Sequence, residues 1–143
     1  MIEEYNKKIE SFISQAVALK EEGNAFFKAG DLKKARSKYT RVFAFTRSLV
    51  TKQNEDSMVN MVQKGMGKGE ISSEIKTTAK DLERDVYSNM AMVFLKEQNY
   101  SKAIEKASLS LEIAETGKAL FRRGKAYAMK NDFESAYKGK RDF

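Results

Sequence analysis

The fold is decided by "GNAFFKAGDLKKARSKY" (residues 23–39), because the same pattern of residue types returns twice further along the chain. It returns as "AMVFLKEQNYSKAIEKA" (91–107) and "GKAYAMKNDFESAYKGK" (124–140). A small residue opens each copy: Gly23, Ala91 or Gly124. An aromatic follows at the third position after it: Phe26, Phe94 or Tyr127. At the eighth comes Asp31, Asn99 or Asp132, trailed by Leu32, Tyr100 or Phe133, and at the twelfth Ala35, Ala103 or Ala136. Small residues at these spacings let two antiparallel helices approach closely, and the aromatic fills the gap between them. The Asp or Asn starts a tight turn and caps the second helix. Gly23 costs up to ~1 kcal/mol in helix propensity relative to Ala, a loss that close packing offsets.

Composition agrees with a helical, non-catalytic protein. The 143 residues suffice for one domain, 33% of them are charged, and Pro, Trp, Cys and His are all absent. Without Pro, long helices run uninterrupted. Without Cys or His there is no disulfide framework, thiol nucleophile, imidazole base or usual zinc site, so no metal or cofactor is expected. No window approaches the ~18 apolar residues of a membrane span, and "MIEEYNKK" lacks the basic and apolar regions of a secretory signal. The expected location is therefore cytoplasmic. The net charge of +7 points to an acidic partner: nucleic acid, an anionic surface or an acidic peptide.

The three copies resemble the tetratricopeptide repeat (TPR), a helix–turn–helix unit. The resemblance implies an all-α fold, a right-handed superhelix of antiparallel helix pairs with about three repeats. Repeat 1 is assigned to 16–49, repeat 2 to 84–116 and a truncated repeat 3 to 117–143. Before them, Ile2, Tyr5, Ile9, Phe12, Ile13 and Val17 form the stripe of an amphipathic helix. This N-terminal helix, 1–15, either breaks near Ser14 or runs directly into the next. Residues 50–83 carry no repeat signature: Asn60 stands where an aromatic belongs and Gly69 where Ala belongs. That stretch is expected to extend the first repeat's second helix to about Lys52, pass through a loop, "QKGMGKGE", and start the next helix from about Ile71. An insertion at this place is similar to that in the repeat domains of large FKBP-type immunophilins. A polar-faced helix covering the last repeat is not visible, so the chain is expected to be a fragment of a longer protein, or to take cover from its N-terminal helix.

Stacked repeats turn their first helices toward a concave groove. Lys20 and Asn24 are four residues apart, as are Lys118 and Arg122, and such pairs share a helical face. Asn89 and Arg122 each stand two residues before their repeat's opener, so they occupy one position of successive first helices. These five positions resemble the two-carboxylate clamp of TPR co-chaperones. By that resemblance Lys20, Asn24, Asn89, Lys118 and Arg122 grip the two carboxylates of a C-terminal Asp, in the acidic Glu-Glu-Val-Asp tails of the ninety- and seventy-kilodalton heat-shock chaperones. Phe27, Lys96 and Lys125 match secondary contacts, Phe27 to an apolar side chain of the peptide and the lysines to its upstream glutamates. Arg123 is read as surface.

Two other readings are weaker. "GMGKGE" lacks the residue order of a phosphate loop, and any isomerase domain of an immunophilin lies outside this chain. RNA binding would pair the basic charge with exposed stacking aromatics, whereas repeat packing is expected to absorb Phe26, Phe94, Tyr100, Tyr127 and Phe133. A scaffold for some other acidic peptide is the nearer alternative.

Overall fold

The computed structural model describes the backbone of residues 2–50 and 71–141 and the side chains of 3–50 and 71–134. The described residues form five helices and no strand: α1 (Ile2–Lys28), α2 (Leu32–Val50), α3 (Ser73–Lys96), α4 (Tyr100–Ile113) and α5 (Gly117–Arg141). The expected loop "QKGMGKGE" lies outside them. The chain divides into two compact units, 1–83 and 84–143.

In the first unit the N-terminal stripe continues without a break into the first repeat, so α1 is a single helix of 27 residues. Its apolar face explains this. Tyr5, Ile9 and Phe12 are buried with Leu49 of α2 and Ala79 of α3, and Ile13, Phe45, Val50, Ile71 and Ile75 pack against them. The Phe12 and Phe45 rings meet at 6.0 Å. Burying each large side chain of such a cluster contributes roughly 1.5–3 kcal/mol. The helix expected from about Ile71 begins at Ser73, where the Ser72 hydroxyl accepts the Ile75 N–H at 3.2 Å.

One polar group interrupts this packing. Glu83 is only 3% exposed. Its carboxylate accepts the Thr46 hydroxyl at 2.8 Å, and Arg47 Nε lies 3.9 Å away on the solvent side. Burial pushes the Glu83 carboxyl above its usual range, against the opposing pull of Thr46 and Arg47.

The hairpin turns follow the register read from the sequence. After α1, Gly30 adopts φ 82° and the Asp31 N–H bonds to the Phe26 carbonyl at 2.9 Å. In the second unit, after α3, Gln98 adopts φ 62° and the Asn99 N–H bonds to the Phe94 carbonyl at 2.9 Å. Each turn is a left-handed helix terminus, with the aromatic's carbonyl receiving the closing bond. Asp31 and Asn99 then cap the second helices, accepting the Lys34 N–H at 3.1 Å and the Lys102 N–H at 3.3 Å.

The third copy departs from the pattern. A turn is expected at Asn131–Asp132, but α5 runs through both residues. Among the described residues no second helix returns along it, and a Cβ built on Gly124 meets nothing within 4 Å. Tyr127 is 49% exposed and Phe133 70%, so repeat packing does not absorb these two aromatics. Phe94, by contrast, is buried.

Two predictions follow from the turns and the buried acid. Gln98→Gly removes a side chain from left-handed backbone and should stabilise the protein by about 0.5–1 kcal/mol in chemical denaturation, while Gly30→Ala should cost about 1 kcal/mol. For Glu83, a folded-state pKa above the unfolded 4.5 means that its favourable contribution is complete below that pH and is lost as pH rises through the folded value. The stability difference between Glu83→Gln and the parent should therefore shift in favour of the variant as pH rises from 4.5 toward neutrality; a flat difference across that range counts against the burial effect.

Candidate functional site: a basic pocket on the last helices

In the first unit, α1 carries Lys20, Asn24 and Phe27, all half-buried. The geometry around Asn24 starts at Gly23. A Cβ placed there falls 2.6 Å from Tyr39 Cε1, so only glycine leaves room for the ring. Seated against Gly23, the buried Tyr39 donates its hydroxyl proton to Asn24 Oδ1. The close approach foreseen for Gly23 thus has a specific consequence: it brings up the phenol that orients the neighbouring amide.

In the second unit, α3 supplies Asn89 and Lys96, and α5 supplies Lys118, Arg122 and Lys125. Thr116 accepts the Ala119 N–H at 3.2 Å and caps α5, placing Lys118 in its first turn. Arg122 Nη1 donates to Ser88 Oγ at 2.7 Å and to Asn89 Oδ1 at 3.5 Å. Both bonds pass through one nitrogen, which fixes the plane of the guanidinium fork, the feature that suits Arg to carboxylate recognition. The register that paired Asn89 with Arg122 is therefore realised as contact.

Lys96, Lys118, Arg122 and Lys125 line one pocket of about 360 Å³, together with Met92, Leu95, Phe121 and Met129. Its floor is thioether, aliphatic and aromatic, and four cationic side chains border it. Such a cavity accommodates an anionic ligand that also carries an apolar group. Phe121, 70% exposed, forms part of the apolar lining. Among the described residues, no group of three or more carboxylates is placed to hold a metal ion.

Of the eight residues singled out in the sequence, the structure thus gathers Asn89, Lys96, Lys118, Arg122 and Lys125 within the second unit, and sets Lys20, Asn24 and Phe27 on α1 of the first. Sequence reasoning missed Tyr39 and Ser88, the partners of Asn24 and Arg122. Ser88 adjoins Asn89 and was in principle open to notice; Tyr39 has Ala107 at the matching place of the second repeat, so no recurring residue pointed to it.

The arrangement has known counterparts. The structure superposes on the C-terminal TPR-containing domain of an FK506-binding protein from Plasmodium falciparum with a TM-score of 0.61 and 27% identity, covering 82% of this chain and 67% of that one. This chain is a tetratricopeptide-repeat domain. No family model matches the TPR chain, but individual proteins do. It is 31% identical over 135 residues to the peptidyl-prolyl cis-trans isomerase FKBP4 of Homo sapiens, across 94% of the chain. It is 28% identical over 127 residues to protein unc-45 homolog B of Danio rerio, across 88% of the chain. The TPR chain spans 25% of the length of FKBP4 and 10% of that of unc-45 homolog B. The similarity therefore identifies an immunophilin-like protein-interaction domain. No helix among the described residues is long and apolar enough to cross a membrane.

Replacing Gly23 tests the Tyr39 contact. Gly23→Ala forces a methyl group into the ring and should cost about 1–3 kcal/mol in urea denaturation despite the better helix propensity of Ala. A neutral or stabilising result means that the two helices do not approach this closely.

Proposed function

We propose that this TPR domain is the peptide-binding module of a co-chaperone, and that it grips the acidic C-terminal tail of a heat-shock chaperone. The observation that carries this reading is the second-unit pocket, where the fork of Arg122, fixed by Ser88 and Asn89, sits among Lys96, Lys118 and Lys125 over an apolar floor. A C-terminal Asp offers a main-chain and a side-chain carboxylate a few ångström apart. Arg122 takes one carboxylate in its fork, Lys118 supplies a point charge, and the Asn89 amide adds hydrogen bonding without charge. Lys96 and Lys125 meet glutamates further up the tail, while an apolar side chain settles against Met92, Leu95 and Phe121. Lys20 and Asn24 have the same task on α1, with Phe27 as an apolar contact. Similarity to FKBP4 supports this assignment as a co-chaperone of the immunophilin kind.

Each charge-assisted hydrogen bond contributes roughly 1.5–3 kcal/mol net. Three or four of them, less the ordering of a flexible peptide, correspond to a Kd on the order of micromolar. Calorimetric titration with a peptide ending in Glu-Glu-Val-Asp, with its C-terminally amidated form and with single-stranded RNA separates the readings. Micromolar binding that weakens about tenfold or more on amidation and in Arg122→Ala, at unchanged helicity, is the expected result. Lys20→Ala measures the contribution of α1 separately. Equal affinity for the free and amidated peptides sinks the clamp, tight binding of an unrelated acidic peptide makes the domain a general scaffold, and preference for RNA overturns the proposal.

A further inference from the structure

Positive charge in excess sits on two of the five helices, α2 and α5, while α1, α3 and α4 hold nearly equal numbers of acidic and basic residues. α5 carries Lys118, Arg122 and Lys125 to the pocket described above. The 19 residues of α2 include Lys33, Lys34, Arg36, Lys38, Arg41 and Arg47 and not one Asp or Glu. No residue of α2 lines the pocket, so the tail-binding reading leaves this charge unused.

The inner face of α2 is built from Ala35, Tyr39, Val42, Thr46 and Leu49, all buried. The opposite face is exposed. Lys33, Lys34, Arg41 and Arg47 stand on it, with the small side chains of Ser37, Thr40 and Ala44 running between them. Some cations of the helix have partners within the chain: Lys38 meets Glu22 at 2.8 Å, Lys34 reaches Asp31 at 3.8 Å and Arg47 reaches Glu83 at 3.9 Å. Among the described residues no ion pair engages Lys33 or Arg41. Like charges three and four residues apart, as at Lys33 and Arg36, Lys34 and Lys38, or Lys38 and Arg41, repel one another along a helix. An anion laid along this face relieves that repulsion.

We infer that the outer face of α2 is a docking ridge for an acidic polypeptide, an extended segment rich in Asp or Glu. The make-up of the face selects this occupant. Its exposed residues include no aromatic on which a base could stack and no large apolar side chain to enter a lipid boundary. Its centre is hydroxyl and methyl, low enough for a polypeptide main chain to lie close and hydrogen-bond to Ser37. The dimensions agree with this. From Lys33 to Arg47 the helix rises about 21 Å, the length of roughly six or seven extended residues, whose alternate side chains face one way about every 7 Å. Such a segment presents three or four carboxylates, by the same rough spacing, to the cations of the ridge. Exposed ion pairs are individually weak, so the affinity is modest, on the order of 0.1 mM, and falls as salt rises.

The test uses a fluorescent, C-terminally amidated peptide of about seven residues with Glu at alternate positions, followed by anisotropy at low salt. Amidation denies the pocket a terminal carboxylate, so the ridge is read separately from the tail site. The parent chain should bind, and Lys33→Glu combined with Arg41→Glu should weaken binding by about tenfold or more at unchanged helicity. Arg122→Ala should change it by less than about twofold. Absence of binding overturns the proposal, as does equal binding by the double variant. Loss of binding in Arg122→Ala overturns it too, because the peptide then occupies the pocket. An RNA duplex or a vesicle containing phosphatidylserine that binds more tightly than the peptide, and does so through Lys33 and Arg41, replaces the acidic polypeptide as occupant and overturns the assignment. None of these outcomes depends on whether the pocket takes a chaperone tail.

Discussion

Close approach of paired helices is the constraint from which the rest of this structure follows. At Gly23 the approach is so tight that the Tyr39 ring occupies the volume of a side chain, and Ala91, at the matching place of the second repeat, is fully buried. Helices held this near one another need a turn that reverses the chain in very few residues. Both turns meet that need in the same way, with one left-handed residue, a closing bond to the aromatic's carbonyl and an Asp or Asn cap. Once opener, aromatic and cap are fixed, the polar positions before each opener are fixed too. That is how Asn89 and Arg122, far apart in sequence, come to share a hydrogen bond.

The basic surplus is distributed in two ways. Some lysines lie over repeat aromatics: Lys34 over Phe26, Lys102 over Phe94 and Lys106 over Tyr87. Their aliphatic stems cover ring faces at the helix surface, and the ammonium groups gain a favourable electrostatic contact. Others, with Arg122, border the pocket between α3 and α5, where they concentrate positive charge beside an apolar lining. Net charge by itself does not separate these uses; position within the repeat does.

The end of α5 shows how far local signals reach. Residues 131–136 hold the Asn, Asp and Ala of a turn and second helix, yet the same residues extend α5 without interruption. Neither solution is excluded by local chemistry, because Asn tolerates left-handed backbone and also sits in helices at modest cost. Along the continuous helix Leu120, Tyr127 and Phe133 are exposed.

The sequence by itself determined the helical class, the turns after α1 and α3, and the register that places Asn89 beside Arg122. All of these are set by spacing, and spacing along a helix converts directly into direction in space. Only the tertiary structure decided that Tyr39 orients Asn24, that Ser88 holds Arg122, that Glu83 is buried against Thr46, and that α5 continues through Asn131. These outcomes depend on which surfaces meet across many residues of chain. A burial energy or a hydrogen bond between distant segments leaves no periodic trace in the sequence that produces it.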